Sequence, residues 1–222
     1  MTGPAPPTFT PALGKAWLTP AYDAAIALLT RERVWRTALV SCIAPRRSMR
    51  VLDIGCGTGA LLLAINDTEP NADLVGLDPD PAVLARARRK AEKRKARIAF
   101  VEGFFRDAAL QHDWPPDVIT SSLVFHQVPM AEKRRILSHA WAILPGGGRL
   151  VIADYGLQRT KLMRTLFRNT VQRLDGVADT TPNAEGVLPL LIEQAGFDGV
   201  REVKVYPTVT GSISIYSARK QE

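Results

Sequence analysis

Cysteine is almost missing, with Cys42 and Cys56 the two in 222 residues. Two thiols build neither a disulfide framework nor a zinc cluster, and they suit a reducing cytoplasm. Long apolar runs are missing as well. None approaches the ~20 residues a membrane span requires. The amino terminus also lacks the basic segment, apolar stretch and cleavage site of a secretory signal, so the expectation is a cytoplasmic chain. Charge of one sign does not dominate, because 29 Lys and Arg face 22 Asp and Glu, a net +7 with a pI near 9.7. That excess permits attraction to nucleic acid or an anionic membrane surface and selects neither. What is present in quantity is apolar, at 46% of residues, enough to bury a full core in one domain.

The most informative stretch is Val51-Leu52-Asp53-Ile54-Gly55-Cys56-Gly57-Thr58-Gly59. Arg50 to Ile54 reads as a buried strand, the alternate glycines as a tight turn, and Leu61 to Ile65 as a helix. Glycines there allow positive φ and close approach of a ligand to the main chain, and the free N–H groups of a helix start favour negative charge. Leu74 to Leu77 predicts a second strand, and Asp78, followed by Pro79, closes it about 20 residues beyond the glycines. An acid at that place can accept hydrogen bonds from two ribose hydroxyls, so a nucleoside ligand is implied. Gly55, Gly57 and Ala60 also satisfy the loose dinucleotide fingerprint, which leaves the kind of nucleoside open.

Further along, Asp80-Pro81 marks a helix start, and Val83, Leu84, Ala87 and Ala91 predict its inner face. Arg86, Arg88, Arg89, Lys90, Lys93, Arg94 and Lys95 are expected to point mostly outward. No aromatic residues interleave these cations as a nucleic-acid stacking surface would need. Arg97 to Val101 reads as the third strand and is followed by Gly103 and Phe104. Asp117 opens a fourth strand, with Ser121, Ser122, His126 and Gln127 at its carboxyl end, where ligands lie in open α/β sheets. A helix stopped by Pro145 and Gly146-Gly147-Gly148 leads into a fifth strand ending in Asp154 and Tyr155. Val200 to Tyr206 and Ser212 to Ser217 alternate as a closing strand pair.

The V-L-D-I-G-C-G-T-G wording, with Asp53 before the glycines, resembles motif I of the class I S-adenosylmethionine-dependent methyltransferases. The fourth-strand run ending in Ser121 to His126 and the Pro-Gly-Gly turn before the fifth strand are similar to theirs too. The Arg33 to Arg36 segment around Trp35 is similar to one that precedes motif I in quinone-biosynthesis C-methyltransferases. The resemblance implies an α/β, Rossmann-like fold: a seven-stranded, mostly parallel sheet with an antiparallel last strand, helices on both faces, a helical amino-terminal cap and a lid insertion. It implies S-adenosylmethionine as donor and S-adenosylhomocysteine as product. The expected cofactor residues are Asp53, Gly55, Cys56, Gly57, Gly59, Asp78, Pro79, Gly103, Phe104 and Ser121, with Arg33 or Arg36 on the methionine carboxylate. Phe104 stands where the family commonly has an acid, so the adenine amino group would be met by a backbone carbonyl, by Asp107 or by water.

Three expectations concern the acceptor. His126 is the candidate catalytic base, should the nucleophile be a phenol or an acidic carbon, or a substrate ligand, or else a pocket-wall or loop-fixing residue; an amine or thiol would need little beyond proximity. Tyr22, Gln127, Asp154, Tyr155 and Phe167 are the candidate substrate contacts, with loop anchoring the equal alternative for Asp154 and Tyr155. Residues 1–12 are expected to be a mobile tail and 13–222 a single domain, made of a helical cap (13–45), a cofactor core (46–156) and a lid helix (157–182) ended by Asp179 to Pro182. The leading expectation is methyl transfer to a small molecule, a quinone precursor or lipid. An RNA methyltransferase using the basic helix, a nonenzymatic binding module and a transient membrane contact remain alternatives.

Overall fold

The computed structural model describes residues 31–105 and 114–222. The proposed tail, most of the cap, Tyr22 and Asp107 lie outside the described residues. In chain order the elements are α1 (Glu32–Ile43), β1 (Arg50–Ile54), α2 (Ala60–Thr68), β2 (Asp73–Asp78), α3 (Pro81–Arg94), β3 (Ile98–Glu102) and β4 (Val118–Ser122). A short 3₁₀ turn (Phe125–Gln127) then leads to α4 (Met130–Ile143), β5 (Arg149–Tyr155), α5 (Lys161–Asn169), α6 (Val171–Asp175), α7 (Val177–Ala184), α8 (Val187–Gln194), β6 (Asp198–Thr208) and β7 (Gly211–Arg219).

Seven strands form one sheet in the order β3-β2-β1-β4-β5-β7-β6. The first five run parallel, while β7 is antiparallel to both β5 and β6. Alternation along the strands divides the core in two. Val51, Val118 and Val151 pack with Trp35, Leu39 and Ile43 of α1 and Leu61, Leu62 and Ile65 of α2. Their neighbours Leu52, Ile119 and Ile152 pack on the other face with Ile136, Leu137 and Ala140 of α4 and Leu188, Leu191 and Ile192 of α8. Both faces of the parallel strands are covered, which is why those strands read as nearly continuous apolar runs.

The order reverses between β1 and β4, and the crevice beyond their carboxyl ends is where such sheets take ligands. The start of α3 is built as its sequence predicts. Asp80 accepts from the N–H groups of Ala82 (2.8 Å) and Val83 (3.3 Å), with Pro81 at the first helical position. Its cations are less free than the sequence pattern suggests: Arg88 donates to the Phe100 carbonyl, Lys90 to Thr58 Oγ1, and Arg94 pairs with Asp67.

The segment read as one lid helix is three short helices, and Pro182 sits inside α7 instead of ending the segment. Its apolar stripe is split. Phe167 and Val171 are buried with Tyr155, Tyr206 and Ile213, whereas Leu162 and Leu174 are exposed. Helical periodicity marks a face that packs, and here the partner is the sheet and its terminal hairpin.

Candidate functional site

The glycine turn hangs on the end of β2. The N–H groups of Gly55 and Cys56 both donate to the Leu77 carbonyl, at 2.8 and 3.0 Å. One oxygen of Asp78 accepts from the Gly57 N–H at 2.9 Å and the other from the Asp80 N–H at 3.0 Å. Burial raises the Asp78 carboxyl, while those two N–H groups act to lower it. Gly55 needs its missing side chain: at φ +67° a Cβ would lie 2.4 Å from Val124 Cγ2, so the turn packs directly on the β4 loop. Gly57, at φ +55°, has no atom within 4 Å of the place its Cβ would take, and there the main chain is open to a ligand. Gly103, pinned to the Asp78 carbonyl, is equally open on that side, with half-buried Phe104 next to it. Cys56 is buried and its thiol is pushed up, mainly by burial, so it is a small neutral filler and no nucleophile.

Beneath the turn lies a second arrangement. Asp53 is fully buried, and neither of its carboxylate oxygens has a hydrogen-bond partner among the described residues. Its β4 neighbour Thr120 and, on α1, the Trp35 Nε1–H and the Arg36 Nε–H are buried and unpaired in the same way, while the far end of the Arg36 guanidinium has a partner. Burial raises the Asp53 carboxyl well above its usual range, and the charge of Arg36 draws it back. Arg36 is itself brought down to about 10 by burial and is paired with Glu32. Unsatisfied buried polar groups are costly, and a set of them beside an open glycine turn is a receptor awaiting polar groups. An acid and a guanidinium together match the ammonium and carboxylate of an amino-acid zwitterion. With Asp78 for a ribose, the set fits S-adenosylmethionine. Arg36 is the arginine turned toward this set, whereas Arg33 is exposed.

The acceptor end differs from the sequence reading. Ser121, expected near the cofactor, donates its hydroxyl to the Ile54 carbonyl at 2.8 Å and so ties β4 to β1. Asp154 is fully buried and accepts four hydrogen bonds, from the N–H groups of Val124, Phe125 and Tyr155 and from His126 Nδ1, at 2.7–2.9 Å. No lone pair is left for a substrate, so Asp154 anchors the loop. Tyr155 is buried, with its hydroxyl 2.8 Å from Thr210 Oγ1, and packs edge-on against His126 and Phe167. Phe167 is likewise core. Gln127 stays half-buried, its amide 3.3 Å from the Leu123 carbonyl.

His126 is 5% exposed and both ring nitrogens are engaged, Nδ1 with Asp154 at 2.8 Å and Nε2 with Asp175 of α6 at 3.4 Å. Burial pulls the imidazole down, but the two carboxylates outweigh it and hold it at about 9. At neutral pH it is an imidazolium between two acids, with no free nitrogen to take a proton. The expected general base is therefore a bridge between the β4 loop, β5 and α6.

Sequence reasoning missed a second bridge. Lys133 is fully buried and its ammonium donates to the carbonyls of Phe125, Val128 and Asp179, joining α4, the 3₁₀ turn and α7. Burial lowers it to about 8, against the pull of Asp154 and Asp179. The signal was available: Lys133, Ile136, Leu137 and Ala140 share one helical stripe, so the lysine stands on the apolar face. Leu123, at φ +57°, was also unforeseen, a side chain held left-handed at the carboxyl end of β4 at a cost of about 1–2 kcal/mol.

Residues 52–150 match the model of a methyltransferase domain family. The chain is 33% identical over 189 residues to a demethylmenaquinone methyltransferase from Thermus thermophilus, covering 79% of this chain and 81% of that protein. Among solved structures it is similar to an S-adenosylmethionine-dependent methyltransferase from Thermotoga maritima, with a TM-score of 0.67 and 18% identity over 91% of this chain and 96% of that one. A Haemonchus contortus phosphoethanolamine N-methyltransferase, solved with S-adenosylhomocysteine, aligns with a TM-score of 0.66 at 14% identity, covering 85% of this chain and 52% of that one.

Proposed function

Because the chain belongs to the class I S-adenosylmethionine-dependent methyltransferases, we propose that its acceptor is a small, largely apolar molecule of the quinone-precursor class, methylated by in-line displacement. S-adenosylmethionine supplies both the methyl group and its activation. The chain's part is to hold and align. Asp78 takes the ribose hydroxyls, the open Gly57 main chain admits the donor closely, and Asp53 with Arg36 receives the methionine ammonium and carboxylate. Alignment and water exclusion of this kind lower a barrier by about 7–11 kcal/mol.

The observation that carries this reading is the unpaired Asp53 carboxylate facing Arg36 beside the glycine turn. The acceptor class draws on the demethylmenaquinone methyltransferase relative. The state of His126 adds a constraint on mechanism. With both ring nitrogens held by carboxylates, His126 is not placed to take a proton from the acceptor, so deprotonation of a phenolic or hydroquinone acceptor falls to another group or to water. RNA is disfavoured by the commitment of Arg88, Lys90 and Arg94 to protein partners. The two cysteines are both free thiols, which supports a reducing, cytoplasmic setting.

The test is transfer of labelled methyl from S-adenosylmethionine to cell extract, fractionated into lipid, water-soluble, RNA and protein pools, followed by a demethylated naphthoquinol as defined acceptor. Label in the lipid pool and on the naphthoquinol is expected. Label confined to RNA or protein would overturn the acceptor assignment.

A further inference from the structure

The far side of the sheet carries a second concentration of charge. At the amino ends of the parallel strands, below α1 and α2, lies an open cavity of about 780 Å³ lined by Arg46, Arg149 and Arg219 together with Val40, Pro45 and Ala64. An adjoining hollow of about 420 Å³ shares Arg46 and Arg149 and adds Arg47. The donor site sits beyond the carboxyl ends of the same strands, so the two are separated by about the length of β5, ~20 Å for seven residues.

Three features make this more than a solvated surface. Arg149 is half-buried, and its guanidinium is held in place by the Cys42 and Ile43 carbonyls at the carboxyl end of α1. Burial, and then the like charges of Arg219 and Arg46 against the opposing Cys42, leave it below the usual arginine range. Among the described residues none of the three is ion-paired to a carboxylate, and the wall of the larger cavity holds no acid; Asp117 lines only the second hollow, where one of its oxygens accepts from the Arg50 N–H at 2.7 Å. Guanidiniums brought together without an acid repel one another, and an anion seated among them relieves the repulsion. Thr37, Ser41 and Thr68, also in the wall, already give their hydroxyl protons to their own helices, so the donors available to an anion are the guanidiniums.

We infer that this cavity is a phosphate-binding site, distinct from the methyl-donor site, in which Arg46, Arg149 and Arg219 hold the phosphate and the Val40, Pro45 and Ala64 wall faces the body of its carrier. Planar forks with several donors suit phosphate oxygens, and three of them match a doubly charged phosphate better than a carboxylate. The carrier is an organic phosphomonoester or free inorganic phosphate.

The experiment is thermal unfolding of the full chain with phenyl phosphate or inorganic phosphate, at constant ionic strength made up with chloride. S-adenosylhomocysteine is the control for the other site. The inference expects a saturable rise in Tm, roughly 5–10 °C at a hundred times Kd. Arg46 and Arg219 are exposed, so the double variant Arg46→Gln/Arg219→Gln leaves the core intact. That variant should raise the Kd at least tenfold and keep its response to S-adenosylhomocysteine. Tighter binding of phenyl phosphate assigns the site to a phosphomonoester, and equal binding to free phosphate. A rise that never saturates, or one that persists unchanged in the double variant, overturns the site.

Discussion

Replacing His126 by Gln tests whether the imidazole is a charged bridge or a base. In the folded chain His126 lies between Asp154 and Asp175 and titrates near 9, against an ordinary 6.5. At ~1.4 kcal/mol per pH unit that rise corresponds to about 3 kcal/mol of stability held by the protonated ring. Because the folded value is raised, the contribution is complete below pH 6.5 and is lost as pH climbs through 9. Wild-type stability alone would mislead, since Lys133, lowered to about 8 by burial, contributes the opposite slope between its folded value and the ordinary 10.5. Lys133 is present in both proteins, so subtracting the variant's curve from the wild type's removes the part of its slope that is independent of His126; because both cations act on Asp154, the same pair is also compared in a Lys133→Met background. Urea unfolding of both at several pH values from 6 to 10 should therefore show the stability difference narrowing by about 3 kcal/mol across that range. In thermal unfolding the same change is a narrowing of roughly 6–12 °C for a domain of this size. Parallel curves would refute the bridge, because a neutral imidazole leaves no charge to lose.

The same variant serves a second assay. With the acceptor in hand, His126→Gln should keep kcat within about tenfold, whereas removal of a true general base costs about 10²–10⁴; a loss in that range at unchanged stability would restore the catalytic role. Asp78→Ala removes the carboxylate proposed to accept from the ribose hydroxyls, together with its bonds from the Gly57 and Asp80 N–H groups, and should weaken S-adenosylhomocysteine about 100-fold by calorimetry; unchanged affinity would dismiss its ribose role. Gly55→Ala forces a Cβ to 2.4 Å from Val124 Cγ2 at a positive φ, which should cost about 2–4 kcal/mol and lower Tm by roughly 4–15 °C. A variant melting with the wild type would mean the β4 loop yields freely.

The glycine turn and the elements around it were legible in the sequence because their chemistry is local. A glycine turn, the acid closing the next strand and the Asp80 cap each announce themselves within a few residues, and their partners are backbone groups whose positions follow from strand and helix geometry. The sheet was legible for a related reason, as apolar runs of strand length alternate with helical periods until the terminal hairpin. The acceptor half depends on pairings the chain makes at a distance. Asp154 follows an apolar run just as a substrate-binding acid would, and only the four donors that converge on it identify an anchor. Phe167 carries the periodicity of a pocket wall and of a core residue alike, and contact with Tyr155 decides for the core. The apolar stripe places Lys133 on the inner face of its helix, but its partners are out of sequence range, the Asp179 carbonyl standing 46 residues away.

The polar groups at this end thus divide by how many bonds they have already made. His126, Lys133 and Asp154 are saturated, and together they fasten α6 and α7 to the β4 loop. A saturated group cannot strengthen its bonding as a methyl group transfers, and only interactions that are stronger in the transition state accelerate the step. Selectivity for the acceptor must then come from side chains with surface still uncommitted, and half-buried Gln127, in the same 3₁₀ turn as His126, is one such side chain. Substitution of Gln127 should change which acceptor is used while leaving stability and donor affinity nearly untouched, whereas substitutions at the saturated three should do the reverse.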